Sequence, residues 1–206
     1  MSNDLYRVYK TVNNMLYNRG YIRKDIDYNL FKKKSHADLT IFTETRPDYK
    51  IQKGSIFVFF PSDEKVGVKP IRTYKAEMSS KKCVRAIVVT KDGITPFARS
   101  EINSMATEKD TEGNGPFYIE IFTEPELMID ITEHELVPKH EVLTHEEKDL
   151  VLKQLCIKEH QLPKIMSFDP VTRYFGLGLG LEKGSVFKIT RFSETGGNFT
   201  GYRIVV

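Results

Sequence analysis

Three strand-length apolar runs, separated by stretches with helix-start chemistry, set the tightest limit on the fold. Ser55-Ile-Phe-Val-Phe-Phe60 is continuously apolar, as a strand covered on both faces requires. Val84-Arg-Ala-Ile-Val-Val-Thr90 and Phe117 to Phe122 read as two more strands. Between the first two, Pro70 suits the first turn of a helix running to about Ser80, where no amide donor is needed. Between the last two, Thr95 as cap and Pro96 as first residue open a short helix. Strands alternating with helices define an α/β unit with a mixed sheet.

The flanking segments extend this unit. Leu5, Val8, Tyr9, Val12, Met15 and Leu16 recur at helical spacing, and Gly20 stops an amphipathic helix expected over about Asn3 to Arg19. Asp25 to Lys34 reads as coil or a short helix carrying the basic cluster Lys32-Lys33-Lys34. Ala37 to Phe42 alternates like a half-buried strand. Pro61-Ser-Asp-Glu turns the chain, and Val66-Gly-Val-Lys69 is expected to start another strand. Glu108 to Pro116 reads as an exposed loop.

A boundary is expected near Pro125 to Glu133, giving domains at 1–128 and 129–206. Beyond it, Leu136 to Leu143 is expected to be extended, because the residue before Pro138 avoids helical geometry. Thr144 and Glu147 form a capping box, opening a helix whose contacts come from Leu150, Leu152 and Leu155. Asp169-Pro170 is another cap with a first-position proline. Ser185 to Phe192 and Phe199 to Val206 read as strands joined by the loop Glu194 to Asn198. The second domain is therefore small α+β.

Charge separates the halves. Residues 1–124 hold 21 Lys+Arg against 16 Asp+Glu, and the remainder holds 10 against 12. A mildly basic front half can approach a polyanion. The longest apolar run is far below the roughly 20 residues of a membrane span, so no membrane partner is expected. Met1-Ser-Asn-Asp-Leu5 has no basic-then-apolar leader, and Cys83 and Cys156 read as free thiols in a reducing compartment.

The search for chemistry mostly excludes it. His134-Glu135 fails the H-E-x-x-H zinc pattern, because position 138 is proline, which also stops the helix that pattern needs. No metal or cofactor is expected. Gly176, Gly178, Gly180 and Gly184 do not meet the dinucleotide spacing. One enzymatic alternative stands: Pro47-Asp48 ahead of Asp63-Glu64-Lys65 fits the loose P-D…(D/E)-x-K pattern of metal-dependent nucleases, with Asp48 and Asp63 holding the cation.

Four stretches of the tail carry a resemblance. They are His134-Glu-Leu-Val-Pro-Lys-His140, Gln161-Leu-Pro-Lys-Ile165, Asp169-Pro-Val-Thr-Arg-Tyr-Phe-Gly-Leu177, and Ser193-Glu-Thr195 with Tyr202-Arg203. Together they resemble the assembly domain of subunit five of the eukaryotic nuclear RNA polymerases, a family that includes its archaeal counterpart. Arg19-Gly-Tyr21, Val66 to Lys69 and Gly93-Ile-Thr-Pro96 also look like family segments. Between Leu177 and Glu182, Gly178 to Leu181 exceeds the family pattern.

The resemblance implies a non-catalytic subunit of DNA-directed RNA polymerase, in the nucleus, or in a virion or cytoplasmic factory if virus-encoded. It implies a nuclease-like fold for the N-terminal domain, which forms part of the lower jaw beside downstream duplex DNA. Ile94, Thr95, Pro96, Phe97 and Arg99, with Lys91, are the DNA-proximal candidates. The C-terminal domain is implied to dock on the largest subunit and to help seat small subunit six. Docking candidates are His134, Leu136, Val137, Pro138, Lys139 and His140, then Gln161, Leu162 and Pro163. Asp169, Pro170, Arg173, Tyr174, Ser193, Glu194, Tyr202 and Arg203 complete the set.

Overall fold

A computed structural model describes residues 2–24, 27–31, 39–46, 54–107, 116–176, 184–193 and 195–206. The chain forms two compact units, Met1–Ile129 and Asp130–Val206.

The first unit opens with helix α1 (Ser2–Asn18), ended by Gly20 in a left-handed conformation, φ 88°. A short α2 (Tyr28–Phe31) follows. The sheet contains β1 (Ile41–Glu44), β2 (Ser55–Phe59), β3 (Arg85–Thr90) and β4 (Tyr118–Thr123) in that spatial order. β1 runs antiparallel to β2, and the other two pairings are parallel. Parallel neighbours need crossovers, which α3 (Val68–Ser80) and α4 (Pro96–Thr107) supply. α5 (Glu124–Leu127) closes the unit.

Strand alternation explains the core. Phe57, Ala86 and Ile119 are cross-strand partners, and their face packs with Ile71 and Met78 of α3 and with Ala98, Ile102 and Met105 of α4. Glu120 points to the opposite face, where Arg19 meets it from just beyond α1.

Two expectations in this unit need correction. Val66 to Lys69 is not a strand: Val66 makes one isolated bridge to Ile94, Gly67 caps α3, and the helix starts at Val68. Pro70 still lies in the first turn, where helix amides have no internal acceptor. Ala37 and Asp38 lie outside the described residues; Leu39 is buried in a helical turn, and the strand runs from Ile41 to Glu44. Glu108 to Gly115, Lys32 to Lys34 and Asp48 also lie outside the described residues.

The second unit has its own sheet, in the order β5 (Lys139–Val142), β7 (Val186–Ser193), β8 (Gly197–Val205), β6 (Lys164–Ile165). α7 (Pro170–Tyr174) leads into Phe175, which packs with Ile165, Phe187, Ile189 and Val205 on one face. On the other face Leu152 of α6 (His145–Gln154) packs with Leu162, Val186 and Ile204. Both halves of the Thr144–Glu147 capping box are formed, at 2.8 and 3.3 Å.

Here too the extended reading of Leu136 to Leu143 is too long. The Leu136 amide donates to His134 Nδ1 (3.2 Å) and the Val137 amide to the His134 carbonyl (3.0 Å), which makes a turn; the strand begins only after Pro138. Of the three leucines, only Leu152 joins the core, whereas Leu150 and Leu155 are exposed. The hairpin ladder runs further than expected, to a Ser193–Gly197 pairing.

Candidate interaction surfaces

At the carboxyl ends of β2 and β3, two loops are laced together. The Asp92 amide donates to the Glu64 carbonyl (3.1 Å), Val66 to Gly93 (3.2 Å) and Thr95 to Val66 (3.1 Å). Lys91 Nζ donates to the Ser62 carbonyl (3.3 Å), and Lys65 pairs with Asp92 at 3.4 Å. Ile94 packs against the core, fixing the loop from below. Thr95 Oγ1 accepts from the Ala98 amide (3.3 Å), so the expected cap is formed, with Pro96 as the first helical residue. Phe97 stands 80% exposed, and Lys91 and Arg99 are exposed beside it. The six residues singled out from the sequence thus form one continuous loop and helix start.

The docking candidates divide by role. Asp169, Leu162, Tyr174 and Pro138 hold the second unit together. Asp169 Oδ1 accepts from the Val171 amide (3.0 Å), which starts α7 above Pro170. Gln161 Oε1 accepts from the Lys158 amide at 2.7 Å. Tyr174 is buried and donates to Asp130 Oδ2 (3.2 Å), while Thr132 Oγ1 donates to Asp130 Oδ1 (2.6 Å). Sequence reading missed Asp130 and Thr132; no pattern links them to a tyrosine more than 40 positions away.

His140 is half-buried, edge-on to Phe187 with ring centroids 5.6 Å apart. Its Nδ1 lies 2.7 Å from the Pro138 carbonyl, which places the ring proton on Nδ1. Burial pushes its pKa below the ordinary value. The Pro138 carbonyl and Asp169 act upward, and Arg191 and Arg203 act downward. Lys139 pairs with Glu141 at 2.6 Å and holds that carboxyl below its usual range.

The rest of the set faces outward. Leu136 is 84% exposed; His134, Lys139, Ser193 and Arg203 are also exposed, and Val137, Arg173 and Tyr202 are half-buried. Glu194 lies outside the described residues. The structure adds Met166, Phe168, Phe192 and Phe199, all exposed apolar residues that the motifs did not flag.

Among the described residues neither enzymatic pattern gathers a site; Asp48 of the nuclease pattern lies outside them. Asp63 lies in an exposed bend, and Lys65 is paired with Asp92 instead. Among the described residues no three His, Cys, Asp or Glu side chains are grouped to hold a metal.

Comparison with known proteins gives the class first: these are RNA polymerase components. The profile described as "RNA polymerase Rpb5, N-terminal domain" matches residues 2–78, and that for "RNA polymerase Rpb5, C-terminal domain" matches residues 129–205. Two curated relatives, each called "DNA-directed RNA polymerases I, II, and III subunit RPABC1", come from Caenorhabditis briggsae and Caenorhabditis elegans. Each is 41% identical over 98% of this chain and 95% of its own. A Dictyostelium discoideum relative of the same name is 40% identical over 99% of this chain and 98% of its own. The chain belongs to the Rpb5 family, non-catalytic subunits of DNA-directed RNA polymerase.

Proposed function

We propose that this chain is a non-catalytic subunit shared by the nuclear RNA polymerases, acting in the nucleus with a separate task for each of its two units. The unit from Asp130 docks on the largest polymerase subunit and helps seat small subunit six. The first unit forms part of the lower jaw beside downstream duplex DNA, which it meets without reading sequence. The nuclease-like architecture implied for that unit serves as a scaffold only. The observation carrying this reading is likeness over both units to relatives whose names assign them to polymerases I, II and III.

Physical chemistry supports the division of labour. A jaw that meets arbitrary sequence needs to touch phosphates, and Lys91 and Arg99 are exposed cations at a rigid helix start. Assembly needs apolar area, and Leu136 and Phe168 leave it uncovered on the second unit.

The test is purification of the tagged chain from its native source. Recovery of a large two-subunit core with small partners is expected; a chain that never associates overturns the reading. Within the assembled enzyme, Lys91→Glu with Arg99→Glu should flatten the salt dependence of duplex binding by about one unit of slope for each phosphate no longer neutralised. An unchanged slope removes these residues from the DNA surface.

A further inference from the structure

The longest strand of the second unit is left open along most of one side, and backbone bonding shows which groups it offers. The Ile204 amide donates outward to the Pro163 carbonyl (2.9 Å), and Val206 donates outward to Ile165 (3.0 Å). The Val205 amide donates the other way, to Ser185 (2.9 Å). Since orientation alternates along a strand, Asn198, Thr200 and Tyr202 also turn their amides and carbonyls outward. β6 covers only Ile204 and Val205.

The reason β6 stops there is chemical. With Lys164 opposite Ile204, the next rung of this parallel ladder would run from the amide of residue 163 to the Tyr202 carbonyl. Residue 163 is proline and has no amide, so the ladder ends. Among the described residues, nothing pairs with Asn198 to Tyr202 on that side.

The surroundings select an occupant. Exposed Arg191 on β7 and Arg203 on β8 are basic, exposed Lys164 stands at the end of the open edge, and Lys188 is engaged by Glu141 of β5 (3.9 Å). The Phe199 ring lies over Gly201, 3.6 Å from where a first side-chain carbon would stand, and is 64% exposed. Alternating donors and acceptors at strand spacing match another polypeptide backbone; carbonyls would repel phosphates, which argues against nucleic acid.

We propose that the outer edge of β8 from Asn198 to Tyr202 accepts an extended, carboxylate-bearing segment of a larger polymerase subunit as an added strand. The proposal rests on the assembly reading above and names the mode of attachment.

Hydrogen exchange, read residue by residue in the free chain and in the assembled polymerase, tests it. The amides of Asn198, Thr200 and Tyr202 should exchange freely in the isolated chain and slow by roughly tenfold or more on assembly. Those of Phe199, Gly201 and Arg203, turned toward β7, should be slow in both. A chain that co-purifies with the polymerase while its outward amides stay fast overturns the edge proposal and leaves the assembly reading standing. A chain that never co-purifies overturns both. Protection that grows with concentration in the isolated chain makes a second copy the occupant and also overturns it. Thr200→Pro removes one outward amide without touching the β7 ladder; displacement of this variant from the polymerase by several-fold less parent chain than the parent itself requires is expected, and equal retention counts against the proposal. If that variant does not fold, the exchange pattern alone decides.

Discussion

Arg19 and Glu120 are joined by a two-pronged ion pair across 101 residues of sequence: Nη1 to Oε1 at 2.9 Å and Nη2 to Oε2 at 2.7 Å. The arginine side chain is 1% exposed and the carboxylate 13%. This pair ties the end of α1 to the middle of β4. Removing one partner strands a charge away from water. Arg19→Met should therefore cost about 3–5 kcal/mol in urea unfolding. Arg19→Met with Glu120→Leu should recover much of that loss, and Arg19→Lys should not restore the parent value, because a lysine cannot supply the fork. A single variant as stable as the parent would show that the pair holds nothing.

Tyr174 and Asp130 make the corresponding link in the second unit. Tyr174→Phe deletes only the hydroxyl, so the ring keeps its place while the contacts of that hydroxyl with Asp130 (3.2 Å) and Thr132 (3.4 Å) go. The expected cost is about 1–3 kcal/mol. Chemical denaturation followed in this unit checks it, with Gln154→Ala, exposed at the end of α6, as the silent control.

The second unit should weaken on mild acidification. His140 has a folded-state pKa below 6.5, so the unfolded chain takes up its proton first. Stability from this group is full above about pH 6.5 and is lost as pH falls toward the folded-state value. Unfolding midpoints measured across that window should decline for the parent by up to one proton's slope. His140→Gln should show a shallower decline; an identical profile would sink the assignment.

The two thiols should react at different rates. Cys156 is exposed, whereas Cys83 is buried and donates to the Ser55 and Arg85 carbonyls at 3.0 and 3.1 Å. Burial also raises the Cys83 pKa, which lowers its thiolate fraction. A thiol reagent at neutral pH should modify one cysteine promptly, and peptide mapping should find it at 156. The second should follow only with unfolding.

Local chemistry was legible wherever a residue acts on its near neighbours. The Thr144–Glu147 box, the Asp169 and Thr95 caps and the Gly20 stop all stand where their spacing put them. The runs of β2 and β3 were equally plain, because a strand covered on both faces has no reason to alternate. The misread stretches, at Val66 and Leu136, share a cause. In each, the extended run is cut short by something the sequence does not advertise: α3 starting at Val68 directly after Gly67, and the His134 ring accepting the Leu136 amide. Long-range partners such as Arg19 with Glu120 carry no signal in a single sequence, since neither residue type demands the other. Of the surface set, exposure separated Leu136 and Arg203 from Leu162 and Tyr174, a distinction that motif membership could not make.

Of the hydrophobic clusters described around the sheets, one is built from residues between Phe42 and Ile121, the others from residues between Val142 and Val205. A lesion confined to the first cluster therefore leaves the packing within the second unit's own clusters intact. Under the proposed division of roles, such an allele would still enter the polymerase and poison it from within, whereas an allele that breaks the second unit's clusters would simply go missing.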